Sequence, residues 1–150
     1  MKINTLYFGE LEYSKQEMFH FSNGLPGLEE HRDFLLIPME EGVPFSYLQS
    51  LDEGSLSILV TNPFDYFHDY DFSMNEGTQF ELQIEQPEDI EVWSAVTVTE
   101  DLNEVTVNLL APIIVNSKKK LGRQIILHDS GYTTKHPLPL IPSEESIEEG

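Results

Sequence analysis

The sequence predicts an all-β protein, mainly an antiparallel small barrel or pseudobarrel, with one or two short helical segments. Three observations carry that prediction. Short runs rich in β-branched and aromatic residues recur along the chain. Turn signals separate them about every 8–12 residues. Only residues 28–32 and 78–85 carry a helical signal in a body that otherwise reads as strand.

The elements follow in order. Ile3-Asn4-Thr5-Leu6-Tyr7-Phe8 alternates partly and is closed by Gly9. Phe19-His20-Phe21 is a short alternating piece closed by Asn23-Gly24, with His20 on its outer face. Leu28-Glu29-Glu30-His31-Arg32 suits a single helical turn. Asp33-Phe34-Leu35-Leu36-Ile37 is an apolar run stopped by Pro38, and Ser55–Val60 is another, stopped by Asn62-Pro63. Residues 78–85, TQFELQIE, carry two patterns. Phe80, Leu82 and Ile84 alternate as in a strand. Thr78 with Glu81 three residues on resembles a capping box, and Pro87 supplies a stop, which favours a short helix. Val92–Val98 reads as a strand that turns at Glu100–Asn103 into Val105–Leu109. Ile113–Asn116 and Arg123–Leu127 are two further strands around the basic turn Ser117-Lys118-Lys119-Lys120.

The chain of 150 residues reads as one globular unit over 1–136 and a flexible Pro/Glu-rich tail over 137–150. It has no cysteine, which excludes disulfides and thiolate chemistry and fits a reducing compartment. With neither a signal-peptide core nor a run of membrane-spanning length, the expected location is cytoplasmic. The net charge is −19, and residues 1–117 hold three basic residues against 22 acidic ones. Such a body repels nucleic acid and anionic membrane and attracts basic proteins.

One stretch concentrates the chemistry. Thr61–Phe72, TNPFDYFHDYDF, holds five aromatic rings, three aspartates and a histidine in twelve residues. As a calcium loop starting at Asp65 it fails, because Tyr70 occupies the sixth position, where the sharp bend calls for glycine. As a transition-metal site it also fails, because on a strand His68 and Asp69 point to opposite sides. No metal and no cofactor are expected. No enzyme is expected either: Gly-x-Ser-x-Gly and Cys are absent, and the other histidines, His20, His31, His128 and His136, sit in dissimilar contexts. Asn23–Gly27 lacks the Gly-Lys-Ser/Thr ending of a phosphate loop and reads as a tight turn. Lys118-Lys119-Lys120 with Arg123 reads as a solvated turn, not a nucleic-acid site, beside so many acids.

The rings remain. If the stretch is extended, they cannot all enter the core. Two readings stand: rings with aspartates form a protein-binding patch, or Phe64, Phe67 and Phe72 plug an open barrel end under covering tyrosines. The candidate partner-binding residues are Asp65, Tyr66, Phe67, Asp69, Tyr70 and Asp71. Asn108 and Asn116 join them, as turn caps or as ligands for a partner's backbone, while Leu109, Ile113 and Val115 between them suit the core.

Several segments in fixed order carry a family resemblance: Phe21–Leu28 (FSNGLPGL), Pro44–Leu51 (PFSYLQSL), the aromatic stretch, Asn108–Asn116 (NLLAPIIVN) and Gly122–Leu127 (GRQIIL). Over residues 1–136 the chain resembles the flagellar assembly factor FliW family. It departs at residues 74–86, where the family often has a more obvious acidic helix. The resemblance implies a small β-barrel-like domain and a non-enzymatic, chaperone-like binding protein of the bacterial cytoplasm. It implies two partners: flagellin, and the RNA-binding translational regulator CsrA, which the free factor antagonises to relieve repression of flagellin translation. The charge pattern suits a non-competitive antagonism. The alternatives are an acidic nucleic-acid mimic that blocks a basic RNA site directly, and a small-ligand-binding β-barrel.

Overall fold

A computed structural model describes residues 1–25, 27–39, 43–98, 105–127 and 131–138. Eleven strands are present among them: β1 (Lys2–Thr5), β2 (Gly9–Glu12), β3 (Phe19–His20), β4 (Asp33–Pro38), β5 (Phe45–Ser50), β6 (Ser57–Thr61), β7 (Ile90–Val98), β8 (Val105–Val107), β9 (Ile113–Asn116), β10 (Leu121–Gln124) and β11 (His136–Pro137). The longest helix is α1 (Glu76–Glu81). The mainly antiparallel small barrel read from the sequence is what is observed.

The barrel closes through β7. The first half of β7 pairs with β9, from Ile90↔Asn116 to Trp93↔Ile113. Its second half pairs with β6 on one side and β8 on the other. From β6 the ring runs through β5, β4, β3 and β10 to β9 and so back to β7. Every pairing is antiparallel except β10 with β3, which meet in parallel at the single pair Leu121↔His20. That seam is the weakest link of the ring. β8 and β11 extend the sheet, and the β1–β2 hairpin stands apart as a second sheet. The hairpin rests on the β5–β6 turn, where Leu6 N donates to the Gly54 carbonyl at 3.0 Å. A side chain at Gly54 would collide with the Asn4 carbonyl.

Alternation along the strands sorts three cores. Phe19, Phe21, Phe34, Leu48, Val60, Ile113 and Val115 fill one, enclosed by β3, β4, β5, β6 and β9. Val96, Val107, Leu109, Leu127, Leu138 and Tyr70 form a second. Leu82, Val92 and Ile114 form a third, under α1. β9 therefore faces a core on both sides, which explains its unbroken apolar sequence.

Several expectations shift. α1 is a helix, but its cap is Asn75, whose side chain accepts from Thr78 N at 2.8 Å, and it ends before Ile84. Residues 28–32 form no helix: Leu28 bridges Leu25 and residues 29–30 turn. The strand expected over Arg123–Leu127 begins two residues earlier, as β10, and its ladder toward residues 110–116 continues through Ile125 N to the Pro112 carbonyl at 3.0 Å and Leu127 N to the Leu110 carbonyl at 2.8 Å. Pro137 pairs with β8 and Leu138 is buried, so the packed body runs two residues past 136. The turn at 100–103, His128 and residues 139–150 of the tail lie outside the described residues.

A candidate protein-binding surface

The stretch 61–72 is not extended. Thr61 ends β6, buried, with its hydroxyl donating to the Pro44 carbonyl at 2.7 Å. Asn62 then caps a 3₁₀ turn over Pro63–Asp65 by accepting from Phe64 N at 2.9 Å, and Pro63 sits where a missing N–H costs nothing. Phe67 N returns to the Pro63 carbonyl at 2.9 Å, and Tyr70 N to the Phe67 carbonyl at 3.0 Å. Two successive turns coil the chain, so strand alternation does not sort the rings.

The plug expected of Phe64, Phe67 and Phe72 holds in part: Phe67 and Phe72 pack, partly buried, against the second core, whereas Phe64 is left exposed. Tyr70 is the plug: it is 4% exposed, and its hydroxyl donates to the Leu109 carbonyl at 2.7 Å. Phe64, Phe72 and Tyr132 pack around it with ring centroids 5.5, 5.4 and 4.7 Å away. Burial first, and then the Tyr132 phenol, push the Tyr70 hydroxyl far up from its ordinary pKa and keep it a neutral donor. Tyr70 is thereby corrected from a surface contact to a core residue. Phe64, read as part of the plug, is the ring left 37% exposed.

Tyr66 and Phe67 are half-buried neighbours, 6.5 Å apart between centroids, and Phe67 sits edge-on to His136 at 4.9 Å. Burial, then the Asp65 charge, raise the Tyr66 pKa, while a hydrogen bond with Thr61 works against them. Asp65, His68, Asp69 and Asp71 are exposed. None of the three aspartates joins an ion pair among the described residues. Nor, among those residues, does any group of three or more His, Asp or Glu side chains stand close enough to hold a metal ion.

The two asparagines are turn caps. Asn108 Oδ1 accepts from Ala111 N at 3.0 Å. Asn116 is wholly buried. Its Nδ2 donates to the Leu82 and Gln83 carbonyls at 2.8 and 3.1 Å, and its Oδ1 accepts from Lys118 N and Lys119 N at 3.0 and 3.1 Å. An amide with both donors and both lone pairs used has nothing left for a partner. Of the two roles expected for Asn116, the structure shows the cap, as an internal clip between β9 and the end of α1, and not the partner ligand.

Sequence reasoning missed Phe80, which is 86% exposed on α1. Thr78 and Leu82, four apart, face inward, so Phe80 must face out. Placing the cap at Asn75 is the signal that would have found it.

Fold and surface together define a class: a small, strongly acidic β-barrel protein that presents rings framed by aspartates with no ion pair among the described residues. Comparison with known proteins narrows the class. The model of the FliW protein family matches residues 2–138. The flagellar assembly factor FliW of Bacillus subtilis strain 168 is 41% identical over 138 residues, 92% of this chain and 96% of that one. The factor of the same name from Clostridium kluyveri is 42% identical, again over 92% of this chain and 95% of its own length. A solved crystal structure of the flagellar assembly factor FliW superposes with a TM-score of 0.85 at 35% identity, covering 91% of this chain and 96% of the other. The chain belongs to the FliW family of flagellar assembly factors.

Proposed function

We propose that this protein acts in the cytoplasm purely by binding, without catalysis. It captures flagellin and, when free of it, binds the RNA-binding translational regulator CsrA and relieves repression of flagellin translation. The observation that carries this reading is the surface at 65–71: Tyr66 and Phe67 held firmly by the Asn62-capped turn, framed by Asp65, Asp69 and Asp71, which have no ion-pair partner among the described residues. Rigid rings supply contact area at low entropic cost, and unpaired carboxylates select a basic or polar partner.

The antagonism follows from charge. A protein that grips RNA presents cations to phosphate. A body of net charge −19 docked beside those cations lowers the potential that RNA experiences. Each close charge pair at a protein surface is worth about 1 kcal/mol or more, and salt screens it over ~8 Å. The RNA site need not be occupied for binding to weaken. Direct mimicry of RNA fits less well, because the acids are distributed along the chain and not gathered in one run.

The test is Tyr66→Ala with Phe67→Ala in the full chain. The folded double mutant is expected to lose at least tenfold in affinity for purified flagellin. Unchanged capture would remove the rings from the interface.

A further inference from the structure

The barrel leaves one sheet edge open. Along residues 121–127 the odd-numbered peptide groups point toward β9 and the segment before it: Arg123 lies opposite Ile114, Ile125 N donates to Pro112, and Leu127 N donates to Leu110. The even-numbered groups therefore point the other way. On that side β3 meets the edge only at Leu121, where His20 N donates to the Lys120 carbonyl at 2.9 Å. Beyond that contact, no described residue pairs with the outward peptide groups of Gln124 and Ile126. Unpaired strand edges template the addition of another strand.

The open edge is one wall of a groove of about 700 Å³. The opposite wall is the irregular run Asp71–Asn75. Phe72, Met74 and Ile125 are half-buried along it, and Ile126 is 53% exposed at its rim. The groove lies between two walls of backbone and is lined by apolar side chains, the form that receives an extended peptide. Its uncompensated charge is negative. Arg123 lines the groove but is tied to Glu81, whereas Asp71 is exposed and has no ion pair among the described residues.

We propose that this groove takes an extended, basic segment of another protein as an added strand beside residues 123–127. Every second side chain of the segment, the aliphatic set, would face Phe72, Met74 and Ile125, with a lysine or arginine near Asp71. A second copy of the chain is a poor occupant, because two bodies of −19 repel each other. The inference stands apart from the rings at 65–67 and does not depend on which partner supplies the segment.

The test uses the full chain and a fluorescently labelled eight-residue peptide alternating valine with lysine and threonine. Binding is read by anisotropy. The peptide is expected to bind. The same peptide fully N-methylated along its backbone is expected to bind at least tenfold more weakly, as is the version with glutamate in place of lysine. Ile126→Pro, which removes an outward N–H, is expected to lose the parent peptide tenfold, and Asp71→Lys several-fold. Absence of parent binding, or equal binding of the N-methylated peptide, overturns the proposal. The peptide arms decide the matter even if Ile126→Pro fails to fold. Sedimentation showing a dimer that Ile126→Pro dissociates would also overturn it, by assigning the edge to a second copy.

Discussion

The Tyr70 hydroxyl donates to the Leu109 carbonyl at 2.7 Å, joining the aromatic stretch to the start of the Asn108–Asn116 motif across 39 residues of sequence. Tyr70 is thus the pin that fixes the candidate surface to the barrel. Tyr70→Phe keeps the ring packing and leaves the Leu109 carbonyl without that donor. Its expected cost is about 1–3 kcal/mol. Urea denaturation measures it, and flagellin binding by the folded variant should be unchanged.

Asn116 plays the matching role for α1, holding the carbonyls of Leu82 and Gln83 while capping Lys118 and Lys119. Gln83 needs the help, since its φ of 55° lies in the left-handed region. Asn116→Ala removes the partner of four backbone groups at once, in one buried and three part-buried hydrogen bonds. Destabilisation of about 3 kcal/mol or more is expected, together with early amide exchange in α1.

Asp89 sets the acid limit. Its Oδ2 accepts from Glu85 N at 3.1 Å and Gln86 N at 3.3 Å, and Lys118 Nζ lies 3.2 Å from Oδ1. The Glu85 hydrogen bond, followed by the Lys118 and Gln86 contacts, lowers its pKa from the ordinary 3.8 against the opposing effect of burial. A carboxylate with a depressed folded pKa stabilises the fold fully above its unfolded value, and the contribution is lost as pH falls through the folded value. The expected result is a Tm contribution intact at pH 5 and above and declining below pH 3.8. Asp89→Asn should lower the Tm at pH 7 and flatten that part of the acid profile.

Gly122 lies over the barrel core. A Cβ there would come within 2.5 Å of the Phe21 ring, which is fully buried and has no room to retreat. Gly122→Ala is expected to cost about 1–3 kcal/mol. Alanine at Gly131, where the added carbon meets nothing within 4 Å, is the comparison that carries no crowding. Gly131 has a φ of 84°, so any loss there measures the backbone penalty alone.

Much of the fold was legible because β7, β8 and β9 spell their burial in β-branched residues. β5 was not, because its buried positions include Ser46, Gln49 and Ser50. Gln49 Nε2 feeds the carbonyls of Ser50, Gly54 and Leu56, a contact no local pattern announces. β2 and β11 were too short and too polar to register. The candidate surface was legible as composition but not as geometry. Once the Asn62 cap coils residues 63–70, a tyrosine becomes the core plug and a phenylalanine is left outside. The clip made by Asn116 depends on α1, 34 residues away, and no spacing rule reaches that far.

The most direct test of partner antagonism is a titration of purified CsrA and a short flagellin-leader RNA with the full chain, read by RNA affinity at low and high salt. RNA affinity is expected to fall to a plateau as the protein saturates its partner, and the drop at saturation should shrink as salt rises. RNA affinity that never changes at saturating protein would contradict the antagonism. A fall that continues without limit would replace it with direct competition for the RNA site.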